Sequence, residues 1–130
     1  ASGGTQTAAI VAGGWDGSTR IETVEEFDGT SWSAANSMSE GSNGATMGGV
    51  QSDFLVSNGN TDSSNYVTRT ELYNGTTWSA GATAIYGLHS TMSGGGAGNC
   101  FSGGGDDGSY RNYCQEYETT IDTMLKAETI

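Results

Sequence analysis

The chain has 130 residues, with 4 Lys and Arg against 15 Asp and Glu, and a formal net charge of -11. Such an acidic chain repels nucleic-acid phosphates and anionic lipid surfaces alike, so neither is an expected partner. No apolar run approaches the roughly 18 residues that a membrane-spanning helix needs, and no signal-peptide pattern is present, so we expect no membrane insertion. The length fits a single domain over residues 1–130.

An internal repeat organises the whole sequence. The segments Ile10–Gly14, Leu55–Gly59 and Cys100–Gly104 align with one another at a step of about 45 residues. Downstream, Glu25–Trp32 aligns with Glu71–Trp78 at almost the same step. A repeat of this length is typical of a supersecondary unit that stacks against its own copies.

Each copy is predicted to form four short strands, because its apolar residues alternate and its segments are bounded by Gly, Asn or Asp. In the second copy the expected strands are Ala45–Val50, Asp53–Ser57, Val67–Tyr73 and Thr77–Gly81. Asp28-Gly29 and Asn74-Gly75 favour the positive φ of a two-residue hairpin between the third and fourth strands.

A four-stranded antiparallel unit at this period predicts an all-β chain, namely a β-propeller segment of about three blades. The expected blades are residues 1–41 (without the start of a first strand), 42–86 and 87–130. Because propellers close with about four to eight blades, we expect other chains or a longer parent to complete the ring. Two chains forming a six-bladed ring is the simplest version.

The pattern resembles the kelch repeat, in which an apolar strand ends in Gly-Gly, an aromatic residue follows about 13 residues later, and a Trp follows five residues after that. The resemblance implies that the Gly pair ends the second strand and that the aromatic residue and the Trp pack between blades. These roles would fall on Gly13, Gly14, Phe27, Trp32, Tyr73 and Trp78. The third copy departs from the pattern, because Asp122 stands where the Trp is expected.

The sequences of Gly4–Ile10 and Thr70–Trp78 are similar to those of kelch-like arrays in structural proteins of tailed bacteriophages. This resemblance implies a non-catalytic structural or adhesive module in a virion, as part of a fibre, a tail or a capsid. Its partners would be other copies of the chain, other virion proteins or host-surface glycans. The alternative is a secreted, extracellular carbohydrate-binding propeller domain.

Catalytic patterns are weak. His89 is the single histidine, which disfavours a copper centre and a Ser-His-Asp triad. Glu25 and Glu26 are adjacent strand residues that should point to opposite faces, so they make a poor carboxylate pair for glycoside hydrolysis. We therefore expect no enzyme.

No cofactor or metal is assigned, although two stretches offer oxygen ligands of the kind that Ca²⁺ prefers. These are Asn58–Asp62 and Asp106–Gly108, whose residues are equally typical of polar turns.

The loops between second and third strands should share one rim with the connections between blades, because antiparallel strands alternate in direction. Aromatic rings beside carboxylates on this rim could contact a sugar. The candidate ligand-binding residues are Trp15, Asp16, Arg20, Asp62, Tyr66, Asp106, Asp107, Tyr110 and Arg111.

Three equivalences across the repeat describe the expected core. Phe27, Tyr73 and Tyr117 should occupy equivalent places, as should Ile10, Leu55 and Cys100, and Trp32 and Trp78 should both be largely covered by an adjoining blade.

Cys100 and Cys114 are the candidate disulfide. If the hairpin between them turns symmetrically about Asp107, they lie directly opposite each other at a Cα separation of about 4.5 to 5.5 Å, within the disulfide range. Free thiols remain the alternative, since a buried Cys often serves as a small apolar residue.

Overall fold

Three antiparallel sheets, each a meander of four consecutive strands, form the described part of the protein. The computed structural model describes residues 1–118 in full and the backbone alone of residues 123–129. Because the described residues form strands and loops only, they include no apolar helix of bilayer-spanning length. The strands are β1 Ser2–Thr5, β2 Ala8–Trp15, β3 Arg20–Phe27, β4 Trp32–Ala35, β5 Thr46–Val50, β6 Asp53–Ser57, β7 Thr70–Tyr73, β8 Trp78–Ala80, β9 Met92–Gly96, β10 Asn99–Gly103, β11 Tyr113–Glu118 and β12 Thr123–Thr129.

Sheet one consists of β1–β4, sheet two of β5–β8 and sheet three of β9–β12. Residues 36–45 form linker one, between sheets one and two, and residues 81–91 form linker two, between sheets two and three. The first strands of the three sheets lie side by side, β1 against β5 and β5 against β9. The hydroxyl groups of Thr46 and Thr91 meet there at 2.7 Å.

The core consists of two layers between successive sheets, because alternate residues of each strand face opposite neighbours. Ile10 and Val24 of sheet one pack with Phe54 and Tyr73 of sheet two. The opposite face of sheet two packs against sheet three through a second cluster, which contains Leu55, Ala97, Cys100 and Tyr117.

The third copy of the repeat is shifted by one residue from its sequence alignment. Gly13, Asn58 and Gly104 share the left-handed conformation, with φ of +67°, +64° and +66°. The backbone N–H of Asn58 donates to the Arg69 carbonyl at 2.9 Å, and that of Gly104 donates to the Tyr113 carbonyl at 2.8 Å. Gly and Asn are the residues that tolerate this conformation best. Gly104, rather than Gly103, is therefore the counterpart of Asn58.

This shift corrects one expected equivalence. Cys100 packs against sheet two and takes the place that Phe54 has in the preceding sheet, whereas Phe101 is the counterpart of Leu55 and Ile10. Phe101 points away from sheet two and is 49% exposed. A one-residue slip in a strand moves every side chain to the other face of the sheet.

The aromatic pair of sheet two, Tyr73 and Trp78, packs against sheet one. The indole N–H of Trp78 donates to the Asn36 carbonyl at 2.8 Å, and the hydroxyl of Tyr73 donates to Glu26 at 2.9 Å. Trp32 holds the same position in sheet one but is 49% exposed. The expectation that both tryptophans are covered is therefore wrong for Trp32, because no described strand packs against that face of sheet one.

The register of sheet three assigns the tryptophan position to a different residue. Phe27 is paired with Trp32 and Tyr73 with Trp78, and the corresponding partner of Tyr117 is Met124. Asp122, which the sequence alignment placed there, lies outside the described residues.

The hairpin turns at residues 28–31 and 74–77 depend on the side chain of their first residue as well as on a glycine. Gly29 and Gly75 have φ of +93° and +88°, whereas Asp28 and Asn74 are not in the left-handed region. Oδ1 of Asp28 instead accepts the backbone N–H groups of Thr30 and Ser31, each at 2.8 Å. Each dipeptide thus supplies one positive φ and one side-chain acceptor.

The expected cysteine pairing is wrong, and both thiols are free. Cys100 is paired with Tyr117, and Cys114 is paired with Gly103. The turn is centred farther along the chain than Asp107, so the two cysteines are three positions out of register. An odd offset also sends their side chains to opposite faces of the sheet.

Candidate functional site

The first part of the expected rim is a cluster at the junction of sheets one and two. The backbone N–H of Arg20 donates to Oδ1 of Asp62 at 3.1 Å, and its guanidinium contacts the same oxygen at 3.3 Å. Nε of Arg20 donates to Oδ1 of Asn43 in linker one at 3.2 Å. The guanidinium carbon lies 5.2 Å from the ring centroid of Trp15. Arg20 therefore joins two sheets and covers one face of an indole that is 50% exposed.

Asp16 belongs to the turn beside this cluster rather than to a binding surface. Its Oδ1 accepts the backbone N–H groups of Ser18 and Thr19, each at 2.8 Å. These hydrogen bonds, that of Thr19 first, hold the pKa of Asp16 below its ordinary value. The carboxylate is thus largely occupied by its own turn.

A second cluster lies at the junction of sheets two and three. The rings of Tyr66 and His89 stand 5.5 Å apart, and Oδ1 of Asn60 accepts the backbone N–H of Tyr66 at 2.8 Å. His89 and Asp106 exchange two backbone hydrogen bonds of 3.0 Å. Within residues 1–118, Nδ1 of His89 is buried without a hydrogen-bond partner. Tyr66 and Asp106 therefore contact linker two and stabilise the junction of sheets two and three.

The remaining candidates lie in the loop between β10 and β11. Asp107 and Arg111 form an ion pair of 2.7 Å, and the guanidinium also lies 5.7 Å from the ring centroid of Tyr113. Oδ1 of Asp106 accepts the backbone N–H of Gly108 at 2.6 Å. Tyr110 forms an antiparallel backbone bridge with Asp106, and the residue is 94% exposed.

The nine candidates thus form separate groups rather than one pocket. Trp15, Arg20 and Asp62 meet in one place, and Asp107 and Arg111 pair in another. A cavity of about 600 Å³ lies on the outward face of sheet three, but of the nine candidates it is lined by Arg111 alone. The structure therefore does not gather the expected rim residues into a concave site.

The two stretches considered for Ca²⁺ are not arranged as ligand sets. Oδ1 of Asn60 binds the amide of Tyr66, Asp62 pairs with Arg20, and Asp107 pairs with Arg111. Among the described residues, no group of three or more His, Cys, Asp or Glu side chains could hold a metal ion. The polar residues here stabilise turns and sheet junctions.

Glu26 faces sheet two, where it accepts the Tyr73 hydrogen bond, and its neighbour Glu25 is exposed on the other face of sheet one. Burial, with the hydrogen bond and charge of Glu26, raises the pKa of Tyr73 to about 12. A neutral tyrosine that donates to a carboxylate stabilises the contact between the sheets.

Two buried polar residues with equivalent roles, Glu71 and Gln115, were not expected from the sequence. Glu71 on β7 accepts the backbone N–H of Ser39 in linker one at 2.9 Å. Gln115 on β11 accepts the backbone N–H of Tyr86 in linker two at 2.8 Å, and its amide donates back to the Tyr86 carbonyl at 3.2 Å. A polar residue two positions before the aromatic residue, in Glu71–Tyr73 and in Gln115–Tyr117, is the sequence signal that could have revealed them.

Arg69 extends this anchoring network to the rim. Its Nε pairs with Glu71 at 2.7 Å, and its NH1 pairs with Glu40 at 2.9 Å. Glu40 also accepts the hydroxyl hydrogen bond of Ser63, and this bond is the main reason why the pKa of Glu40 lies below its ordinary value. The network joins linker one to sheet two.

Comparison with known proteins defines the fold and not the activity. No family model matches the chain, and no curated protein does so either. Among solved structures, the chain is similar to one titled "Structure of YjhT", with a TM-score of 0.76 and 15% sequence identity. The match covers 95% of this chain, which spans 43% of the length of that protein. The likeness therefore extends over almost all of the chain and supports an all-β fold built from small antiparallel sheets.

Proposed function

We propose that the chain is a segment of a kelch-like β-propeller that serves as a non-catalytic structural or adhesive module. The observation that carries the proposal is the repetition of one arrangement at both sheet junctions. The first strands β1, β5 and β9 are adjacent in order, and each linker crosses from one four-stranded meander to the next. Such an arrangement is what blades fanned around an axis require.

Both ends of the stack have the properties of unfinished junctions. On sheet one, Trp32 and Val11 are 49% and 37% exposed, and on sheet three Met92 and Phe101 are 80% and 49% exposed. Large apolar patches are seldom left bare on soluble monomers. Further sheets, from other chains or from a longer parent, would cover these faces.

The non-catalytic assignment is supported by the structural use of the polar side chains. Asp16 and Asp28 are bound by their own turns, and Glu71 anchors a linker. The ring of His89 packs against Tyr66. Groups engaged in this way are poorly suited to move protons or to attack a substrate.

We assign the module to a virion, where its loops would contact a partner protein or the host surface. The support for this location is the resemblance of the repeat sequences to those of bacteriophage structural proteins. The test is mass spectrometry of purified particles. Peptides of this chain in fixed stoichiometry with capsid or tail proteins would support the assignment, and their absence from the particles would overturn it.

A secreted carbohydrate-binding domain is the second candidate, and it is favoured by the exposed rings of Tyr110 and Trp15. A flat aromatic face can stack on a sugar ring. A glycan array with the parent, Tyr110→Ala and Trp15→Ala distinguishes the two candidates. A specific glycan signal that either substitution abolishes supports a lectin, with Val50→Ala as a control at an exposed residue away from these loops.

A further inference from the structure

We propose that the cavity on the outward face of sheet three is the seat of a third linker, which leads into a fourth repeat of the same polypeptide. The inference rests on the propeller arrangement proposed above and names the segment that extends it. The cavity has a volume of about 600 Å³. Its lining residues are Ser90, Met92, Phe101, Gly103, Gly104, Gly105, Arg111, Asn112 and Cys114.

The two existing linkers occupy the corresponding places on sheets one and two. The backbone N–H of Gly14 donates to the Ser42 carbonyl of linker one at 2.9 Å. The backbone N–H of Gly59 donates to the Leu88 carbonyl of linker two at 2.8 Å. Ser42 and Leu88 are 3% and 0% exposed. Each linker is therefore received by the glycine that follows the left-handed residue of the sheet before it.

A second backbone bond fixes the start of each linker. The N–H of Met38 donates to the Glu22 carbonyl at 3.0 Å, and the N–H of Ala84 donates to the Thr68 carbonyl at 2.8 Å. Both linker residues are 4% exposed. An apolar or small side chain is thus buried at this point in each junction.

A glycine is required three residues later in both linkers. A Cβ atom on Gly41 would overlap the Arg20 carbonyl oxygen, and one on Gly87 would overlap the Tyr66 carbonyl oxygen. The two linkers therefore share the pattern of an apolar or small residue, two variable residues, a glycine and a carbonyl acceptor. This pattern is the chemistry that the seat would recognise.

Sheet three has the same backbone donor, the N–H of Gly105, but residues 1–118 supply no linker carbonyl that accepts its hydrogen bond. Gly105 follows the left-handed Gly104, and its carbonyl accepts the Arg111 N–H at 2.9 Å, as that of Gly59 accepts the Val67 N–H at 2.9 Å. Gly105 is therefore the counterpart of Gly14 and Gly59. No residue within 1–118 accepts a hydrogen bond from its N–H. A third linker carbonyl would satisfy this donor.

A repeat joined through its own linker would meet two requirements of this face. Its sheet would cover Phe101, and its linker carbonyl would accept the hydrogen bond of the Gly105 N–H. A second copy of the chain, docked through its own sheet one, is the alternative occupant that the experiment distinguishes.

Cys114 makes the proposal testable. It lines the cavity and is paired with Gly103, as Val24 is paired with Ala12 in sheet one. Val24 is covered to 1% exposure when its linker and the next sheet are present. Cys100, at 3% exposure, faces the closed junction and reports whether the fold is intact.

The experiment compares the 130-residue chain with a version that carries a copy of residues 36–80 after residue 130. Native thiol labelling should modify Cys114 readily in the parent and about tenfold more slowly in the extended protein, because access then requires local opening. Cys100 should stay unmodified in both. Amide exchange of Gly105 should slow in the extended protein, as a second and independent readout.

A matched control carries Gly41→Val in the appended copy alone, which blocks the close approach of the linker and should restore the parental labelling rate. Equal Cys114 labelling and equal Gly105 exchange in the parent and the extended protein would overturn the proposal. It would also be overturned by a parent of twice 13.3 kDa in which Cys114 is already protected, because a second copy would then fill the face. Neither outcome bears on the glycan and particle experiments, which test the proposed function separately.

Discussion

Trp78 and Trp32 occupy the same position in the repeat but should differ in their contribution to stability. Replacing a fully buried Trp by Ala costs about 3 to 5 kcal/mol. Trp32 is 49% exposed, so about half of that range, roughly 2 kcal/mol, is expected for Trp32→Ala. The Phe27–Trp32 and Tyr73–Trp78 ring pairs are alike, at 5.2 and 4.9 Å, so the loss of the ring contact largely cancels in the comparison.

Trp78→Ala also removes the 2.8 Å indole hydrogen bond to the Asn36 carbonyl, worth about 1 kcal/mol, together with packing against the core between sheets one and two. We expect a total of about 3 to 4 kcal/mol for Trp78→Ala. Equilibrium denaturation of the parent and both variants measures the two costs under identical conditions. Equal losses of unfolding free energy, within about 0.5 kcal/mol, would refute the conclusion that Trp78 is stabilised by packing against sheet one whereas Trp32 has no such contact.

Three further predictions concern the junctions. Gly41→Ala should strongly destabilise the protein in chemical denaturation, because the added Cβ would overlap a backbone carbonyl. Gly96→Ala should be close to neutral, because no heavy atom lies within 4 Å of the position of its Cβ. Similar effects of the two substitutions would contradict the close approach of the linker. Glu71→Leu should lower the free energy of unfolding by about 3 to 5 kcal/mol, because it leaves Arg69 and the Ser39 amide without a buried partner. Glu71→Gln should lower it clearly less, because Gln115 fills the same role in sheet three. The reverse order in urea melts would refute the role of Glu71. The pKa of Tyr73 is raised to about 12, so the contribution of this hydroxyl to stability is complete below pH 10 and is lost as the pH rises from about 10 to 12. Tyr73→Phe should lack this pH-dependent part of the unfolding free energy, which unfolding curves and phenolate absorbance measure. An unchanged pH profile in the variant would argue against the buried hydrogen bond.

The sequence by itself determined the strand content and the repeat. Alternating apolar residues and the Gly, Asn and Asp punctuation are local signals, so the expected strands at 45–50 and 53–57 agree with β5 and β6 to within one residue. The turn at Asn74-Gly75 was placed correctly, and Gly75 takes the positive φ that few other residues adopt. The expected two-residue hairpin is wrong, because the loop spans residues 74–77 and Asn74 does not take a positive φ. The sequence also indicated that Glu25 and Glu26 lie on opposite faces, because side chains alternate along a strand.

Only the tertiary structure determined the strand register of sheet three, the burial of each tryptophan and the contacts of the rim residues. The loop between β10 and β11 does not specify its own centre, so the offset of Cys100 from Cys114 depends on how sheet three packs against sheet two. Trp32 and Trp78 have the same local sequence environment, and their difference arises from whether a preceding sheet is present. Arg20 and Asp62 are 42 residues apart, and their pairing turns an expected binding surface into a sheet junction. Contacts between sheets are long-range, and a local pattern holds no information about which partner will neutralise a given charge.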